Sequence, residues 1–242
     1  MCYPNVVTID GPAGSGKTTL GKMLADYLGY LFFDTGVMYR AVAYAALEEG
    51  IDLTDEEAVS QLAERLTIDV LPPSLEDGRT ADILIDGEDV TWKIRLPEVD
   101  RSVSQISTYP KVRQALGRQQ RRIGSQGKVV MIGRDIGTVI LPEAELKVYL
   151  DASVEERARR RFAELSVKDA SVVLDDVRHT IEERDRIDST RSIAPLKPAE
   201  DSVLLDTDGL TIQEAFVQLV ELVQRRCDQR RNDRGENHSL PD

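Results

Sequence analysis

The stretch Gly11-Pro12-Ala13-Gly14-Ser15-Gly16-Lys17-Thr18 decides the fold of this chain. It spells the G-x-x-x-x-G-K-[ST] pattern of a phosphate loop, follows the apolar run 6–9 and leads into a helical pattern over 20–28. In such a strand–loop–helix context, glycines let backbone N–H groups face phosphate oxygens, and the helix N-terminus adds partial positive charge. The stretch therefore predicts a site for a nucleoside triphosphate.

Two side chains of this loop predict further contacts. Lys17 is expected to reach the β- and γ-phosphates, and Thr18 is expected to offer its hydroxyl to Mg²⁺. The predicted triphosphate-binding set consists of Gly11, Pro12, Ala13, Gly14, Ser15, Gly16, Lys17, Thr18 and Thr19.

Composition narrows the class of protein. A chain of 242 residues can form one α/β domain with insertions, and it contains no apolar stretch long enough to span a bilayer. Cys2 and Cys227 lie near opposite ends without disulfide or metal-ligand spacing, and the start shows no signal-peptide pattern, so we expect a cytoplasmic protein. The formal charge of −12 argues against nucleic-acid and membrane partners.

The order of apolar runs predicts a parallel sheet. Runs at 5–9, 30–34, 128–132, 146–150 and 202–206 are apolar throughout, which is typical of parallel strands covered by helices on both faces. Three capping boxes predict helix starts, at Thr54 with Glu57, Ser153 with Glu156, and Thr211 with Glu214. The segment 67–92 interrupts this order, and its Asp86-Gly87 pair predicts a hairpin in a small antiparallel sheet.

Arginines at loop and strand-end positions suggest an anionic second substrate. They are Arg40, Arg113, Arg134, Arg184 and Arg191, with a further run at 157–161. Phosphoryl transfer depends on cations around donor and acceptor, and the planar guanidinium binds phosphate bidentately. The run at 157–161 could equally be a solvated helix face. Before any family is considered, the stretch 183–191 is better interpreted as a salt-bridged helix end, and Arg118, Arg121 and Arg122 are expected to be surface residues.

Taken together, these blocks resemble those of bacterial cytidylate kinases, a family of nucleoside-monophosphate kinases. The similar stretches are 8–17, 34–40, 133–138, 150–158 and 184–195. The resemblance implies a P-loop NTPase fold that transfers the γ-phosphate of ATP to CMP or dCMP with Mg²⁺. It also implies one domain over 1–226: a core (1–35, 107–152 and 190–226), a monophosphate-binding region (36–106) with its inserted sheet near 67–92, and a helical lid (153–189). The segment 227–242 is expected to be a disordered tail.

The resemblance also implies roles for individual residues. Lys17, Arg134, Arg160 and Arg191 would be catalytic, with Arg160 reaching the transferring phosphoryl group from the lid. Thr35, Arg40, Arg134 and Arg191 would contact the acceptor phosphate. Ser104, Arg113 and Asp135 would read the cytosine ring, whereas Arg184 and Asp188 would hold the ribose. One position departs from the family pattern, because Ile132 stands where an acidic residue is usual.

Other functions remain open at this point. The chain could phosphorylate another small anionic acceptor, such as UMP, dTMP or shikimate, or it could be a non-catalytic ATP-binding switch. The absence of an Asn-Lys-x-Asp guanine motif argues against a GTPase switch. We expect small-molecule substrates only and a monomeric enzyme.

Overall fold

The computed structural model describes residues 3–167 and 169–233, and its centre is a parallel sheet with strand order β2-β6-β1-β7-β8. A separate antiparallel sheet has the order β3-β4-β5. The strands are β1 (Val6–Asp10), β2 (Leu31–Asp34), β3 (Ile68–Leu71), β4 (Asp82–Ile85), β5 (Glu88–Asp89), β6 (Val129–Gly133), β7 (Leu146–Asp151) and β8 (Val203–Asp206). The predicted α/β class and its parallel sheet are confirmed.

Helices cover both faces of the parallel sheet. They are α1 (Lys17–Leu28), α2 (Gly36–Glu48), α3 (Glu56–Arg65), α4 (Pro97–Ile106), α5 (Pro110–Gly124), α6 (Val154–Ser166), α7 (Leu174–Thr190) and α8 (Ile212–Asp233). Val7 and Ile9 of β1 belong to the core formed with α1 and α8, whereas Met131 of β6 belongs to the larger core that contains α2–α5. Burial on both faces explains why the strands read as continuous apolar runs.

The small sheet lies between α3 and α4 in the chain. Its β4–β5 hairpin turns through Asp86 (φ 49°) and Gly87 (φ 87°), and two consecutive positive φ values are those of the predicted tight turn. The buried Arg79 forms ion pairs with Asp77, Asp82 and Asp89, at 2.9, 2.8 and 2.8 Å respectively. This network ties the loop before β4 to the hairpin.

Some local predictions differ from the structure. The N-cap of α3 is Asp55, whose carboxylate accepts from the Ala58 N–H, because Thr54 instead donates its hydroxyl to Asp52. Ser153 and Thr211 cap their helices as predicted, but only the Thr211 box is reciprocal, because the Ser153 N–H donates to Asp208 instead of Glu156.

The C-terminal helix is longer than the sequence suggests. α8 continues through Asp233, into the segment 227–242 that was expected to be disordered, and residues 234–242 lie outside the described part of the chain. Within 3–167 and 169–233, no helix has the length and apolarity that crossing a membrane requires.

Candidate active site

The phosphate loop lies at the carboxyl edge of the parallel sheet, between β1 and α1. Gly11 adopts φ 154°, and a Cβ there would meet the Leu150 carbonyl oxygen at 2.0 Å, so only glycine fits. The loop opens into a cleft of about 1110 Å³. A pocket for one drug-sized ligand measures roughly 300–1,000 Å³, so this cleft is larger than a single such ligand requires.

Lys17 is buried at the start of α1. Its Nζ donates to the Pro12 carbonyl oxygen at 2.6 Å and lies 3.4 Å from Ser15 Oγ. Burial lowers the pKa of Lys17 well below its ordinary value, and the positive charge of nearby Arg134 lowers it further. An anionic group in the loop would counter both effects, since an opposite charge favours the ammonium form.

Opposite the phosphate loop, three arginines and two carboxylates form a connected cluster. Arg113 Nη2 lies 2.8 Å from Asp135 Oδ2, and Arg134 Nε lies 2.9 Å from Asp188 Oδ2. Arg191 lies between the carboxylates, with its nearest guanidinium nitrogens 3.6 Å from Asp135 and 3.5 Å from Asp188. The structure thus brings together residues from α5, the loop after β6, α7 and the loop after α7. We call this set the acceptor cluster.

The acceptor cluster keeps unused hydrogen-bond donors. Arg113 Nε and Arg191 Nη2 are buried and have no hydrogen-bond partner in the described structure. Buried donors without partners are costly, so their presence in a cleft indicates a place for a ligand with acceptor oxygens.

The remaining predicted acceptor residues surround this cluster. Arg40 is ion-paired with Asp100, and the buried Thr35 donates its hydroxyl to the Ile132 carbonyl oxygen at 3.0 Å. Arg184 is an exposed residue that lines the cleft and has no hydrogen bond or ion pair among the described residues. The protein walls around it, and then the neighbouring Arg134, lower the pKa of Arg184.

The structure does not bring Ser104 to this group. It lies on an exposed part of α4, outside the residues that line the cleft, whereas Val103 and Ser107 line it. The Ser107 carbonyl oxygen accepts from Arg113 Nη1 at 3.0 Å. Sequence reasoning missed Ser107, since nothing in the sequence distinguishes two serines one helical turn apart.

The arginines of α6 have different environments. Arg160 donates to the Thr207 carbonyl oxygen at 2.7 Å and to Thr207 Oγ1 at 3.0 Å, which holds it against one wall of the cleft. Arg157 is buried: it donates to the carbonyl oxygens of Ala13 and Ala152 and pairs with Asp185 of α7 at 2.6 Å. Arg157 of α6 therefore ties α6 and α7 to the phosphate loop, a role that the sequence analysis did not distinguish.

Oxygen donors suited to a magnesium ion line the same cleft. The exposed Thr18 hydroxyl makes no hydrogen bond to any described residue, and Asp34 uses one carboxylate oxygen to accept from the Gly36 N–H. Mg²⁺ prefers hard oxygen ligands such as these, together with phosphate oxygens and water. Ile132, the residue that departs from the family pattern, is the register partner of Asp34 in the sheet.

Comparisons with known proteins agree on one family. Residues 7–225 match the family model described as Cytidylate kinase. The protein named Cytidylate kinase in Chloroflexus aggregans is 52% identical over 214 residues, which cover 88% of this chain and 91% of that protein. Its namesake in Herpetosiphon aurantiacus is 48% identical over 223 residues, covering 92% and 96%. Another of the same name, in Limosilactobacillus reuteri, is 42% identical and covers 95% and 99%.

The contacts of Arg157 predict a large loss of stability when its charge is removed. Arg157→Met leaves Asp185 without its partner and two carbonyl oxygens without their donor, so the free energy of unfolding should fall by about 2–4 kcal/mol in urea denaturation. Arg161→Met is the matched control, because Arg161 lies on the same helix in an exposed pair with Glu164. Its effect should stay below about 0.5 kcal/mol. Equal losses in the two variants would contradict the buried role of Arg157.

Proposed function

This chain belongs to the cytidylate kinase family, and we propose that its cleft transfers the γ-phosphate of ATP to CMP or dCMP, giving ADP and CDP or dCDP. The observation that carries this proposal is the acceptor cluster opposite the phosphate loop. A cleft that only bound and hydrolysed ATP would have no use for a second set of buried arginines with unused donors.

The phosphate loop is the proposed site of ATP. Backbone N–H groups of residues 11–19 would surround its phosphates, and Lys17 would follow the charge of the transferring phosphoryl group. Mg²⁺, when bound, neutralises charge on the phosphate oxygens. The Thr18 hydroxyl is its proposed protein ligand, and the Asp34 carboxylate, which lines the same cleft, would orient a water molecule on the ion.

The acceptor cluster, together with Arg40 and Thr35, is the proposed site of CMP. Arg134 and Arg191 of the cluster and the neighbouring Arg40 supply positive charge for the CMP phosphate, and Thr35 supplies a hydroxyl. The chemistry is mainly positioning and charge neutralisation, because the transition state spreads negative charge over the phosphoryl oxygens. Arginines that are already held by carboxylates need little reorganisation when the substrate arrives.

Asp135 and Arg113 have the complementary groups that cytosine requires. The exocyclic amino group of cytosine donates hydrogen bonds, which a carboxylate accepts, and its carbonyl and ring nitrogen accept from a guanidinium. Ser104 would join them only through a movement of α4 toward the cleft. Arg184 and Asp188 are the proposed ribose contacts.

The lid and the cellular setting complete the proposal. α6 and α7 would close over ATP, with Arg160 leaving Thr207 for the phosphoryl group. Both substrate sites lie within one chain, so a monomer is sufficient. The substrates are nucleotides, and we place the reaction in the cytoplasm.

A substrate panel tests the proposed reaction. ADP release, coupled to a reporter enzyme, should be fastest with CMP and dCMP and much slower with UMP, AMP and GMP. ATP alone should give little ADP, because transfer requires an acceptor. A preference for AMP or GMP would refute the cytidine assignment, and ADP release independent of any monophosphate would favour the ATPase switch.

Lys17 and Lys22 provide a matched pair of lysines on α1. Lys17→Ala should lower kcat by roughly a hundredfold to a thousandfold or more, because it removes the cation beside the transferring phosphoryl group. Lys22→Ala should leave kcat unchanged, since Lys22 is exposed and pairs with Asp26. Thermal unfolding should show both variants folded. Near-normal turnover in Lys17→Ala would show that the loop is not catalytic.

Asp135→Asn should narrow the preference for CMP over UMP. An amide offers both a donor and an acceptor, so its NH₂ group can donate to the uracil carbonyl oxygen that a carboxylate repels. A hydrogen bond to a charged group is worth about 1.5–3 kcal/mol, so kcat/KM for CMP should fall roughly tenfold to a hundredfold while UMP loses much less.

Asp188→Asn is the control for that measurement. Asp188 is also a buried carboxylate paired with arginines, but its proposed contact is the ribose, which CMP and UMP share. Its replacement should lower both activities by the same factor. If Asp135→Asn also lowers both equally, Asp135 does not read the base.

A further inference from the structure

One buried carboxylate at the sheet edge has no place in the reaction described so far. Asp10 is the last residue of β1, directly before Gly11 of the phosphate loop, and its side chain is buried. Its two carboxylate oxygens accept from the backbone N–H groups of Ile136 at 2.8 Å and Gly137 at 2.7 Å. Each oxygen therefore has its own backbone donor, and both donors lie directly after Asp135.

The segment that Asp10 holds is a single π-helical turn, Ile136–Ile140. Its other end is held from α5, where Arg121 donates to the carbonyl oxygens of Val139 at 2.9 Å and Ile140 at 3.0 Å. A carboxylate at the N–H end and a guanidinium at the carbonyl end both complement the dipole of a helical turn. So short a turn has few internal hydrogen bonds, and these two side chains supply what it lacks.

The π-helical turn begins directly after Arg134 and Asp135, two residues of the acceptor cluster. Asp10 is the register partner of Gly133 in the parallel sheet, so the loops after β1 and β6 leave the edge side by side. Only Arg134 and Asp135 separate Gly133 from the turn. The hydrogen bonds of the parallel sheet fix the backbone of Gly133, and the Asp10 carboxylate fixes that of Ile136. The backbone of Arg134 and Asp135, which lie between them, therefore has little conformational freedom.

We propose that Asp10 is a positioning residue for the acceptor: its paired hydrogen bonds to Ile136 and Gly137 set the distance and angle of Arg134 and Asp135 relative to the phosphate loop. Asp10 reaches no substrate itself. This inference rests on the proposed function only for the choice of CMP as the probe.

Asp10→Asn tests the inference by equilibrium binding. The amide keeps one acceptor oxygen but turns an NH₂ group toward the other backbone N–H, so one hydrogen bond to a charged group is replaced by a clash of donors. The dissociation constant of CMP should rise roughly tenfold to a hundredfold in calorimetry, while that of ATP changes less than about threefold. An equal loss for both nucleotides, or no loss for CMP, would refute the positioning role. Failure of the unaltered protein to bind CMP would instead refute the proposed function.

Asp82→Asn is the matched control for the loss of a buried carboxylate. Asp82 is also buried and accepts from a backbone N–H, that of Ser74, but it pairs with Arg79 in the small sheet and does not line the cleft. This variant should be destabilised without any change in CMP affinity. If CMP affinity falls as much in Asp82→Asn as in Asp10→Asn, both losses come from a general loss of stability and the positioning role is refuted.

The opposite end of the turn gives a second test that does not depend on a buried substitution. Arg121→Gln removes the guanidinium from the Val139 and Ile140 carbonyl oxygens, and CMP affinity should fall about threefold to tenfold with ATP affinity unchanged. Arg122→Gln is its control, because the neighbouring Arg122 donates to Ile68 and Asp69 of β3 instead. Equal effects of the two variants would contradict the role assigned to the turn.

Acid pH provides a readout that a purely structural carboxylate would not give. Burial raises the pKa of Asp10 to about 6, and the negative charge of Asp135 also raises this pKa. The two backbone hydrogen bonds and the positive charge of Lys17 lower it. Tyr149 of β7 also faces the Asp10 carboxylate. Below about pH 6 the Asp10 carboxyl carries a proton that faces one of the N–H donors, so CMP affinity should fall. The phosphate of CMP also takes up a proton in this range, because phosphate monoesters have a pKa of about 6. That effect is the same for every variant, so the pH dependence of CMP affinity is compared between the unaltered protein and Asp10→Asn.

The expected result is a steeper loss of CMP affinity from pH 7.5 to 5 in the unaltered protein than in Asp10→Asn. Because the pKa of Asp10 is higher in the folded state than its ordinary value, the folded protein takes up this proton more readily than the unfolded chain. Protonation of Asp10 therefore favours folding between about pH 6 and 4, so the loss of affinity cannot come from unfolding at this site. Parallel pH profiles would overturn the inference.

Discussion

The parallel pairing of β1 with β6 is the constraint on which the cleft depends. It places Asp10 opposite Gly133 at the carboxyl edge of the sheet, so the phosphate loop and the acceptor loop start from adjacent points. Apolar side chains on both faces keep this register, because a slip of one residue would turn every core side chain of a strand to the wrong face. The two reacting phosphates can therefore meet at a fixed place even though their binding loops are far apart in sequence.

Charge pairing makes a basic cleft stable in an acidic protein. The chain carries a formal charge of −12, yet Arg113, Arg134 and Arg191 are gathered in its interior. Asp135 and Asp188 offset part of the free-energy cost of desolvating these guanidinium groups. Unpaired guanidinium groups in the same place would destabilise the fold. The pairing is incomplete: among the described residues, two buried donors have no hydrogen-bond partner and Arg184 has neither a hydrogen bond nor an ion pair, so an anionic substrate completes it. Affinity for a phosphate and the arrangement of the charged side chains in the cleft thus have the same electrostatic origin.

Ile132 shows how a departure from a family pattern can be accommodated by neighbouring residues. Its side chain belongs to the core beneath α1 and packs so closely that a Cβ on Gly21 would lie 2.7 Å from it. Its register partner Asp34 ends the neighbouring strand in the same cleft, and Asp10 ends the strand on the other side. The sheet edge therefore keeps carboxylates on both sides of the position where the family usually has one.

The sequence by itself determined the class of fold, the phosphate loop and the hairpin of the small sheet, because each depends on local geometry: glycines at positive φ, apolar runs, and a helix start after a strand. The sequence also indicated the arginines of the acceptor cluster as candidate anion contacts, and the family resemblance assigned each of them a role. Tertiary structure alone decided the rest. It showed that Ser107 lines the cleft while Ser104 does not, that Arg157 is buried against the phosphate loop, and that the exposed Arg121 donates to two carbonyl oxygens of a turn. These roles depend on which backbone groups of distant segments come within hydrogen-bond distance, and neither periodicity nor residue type records that information.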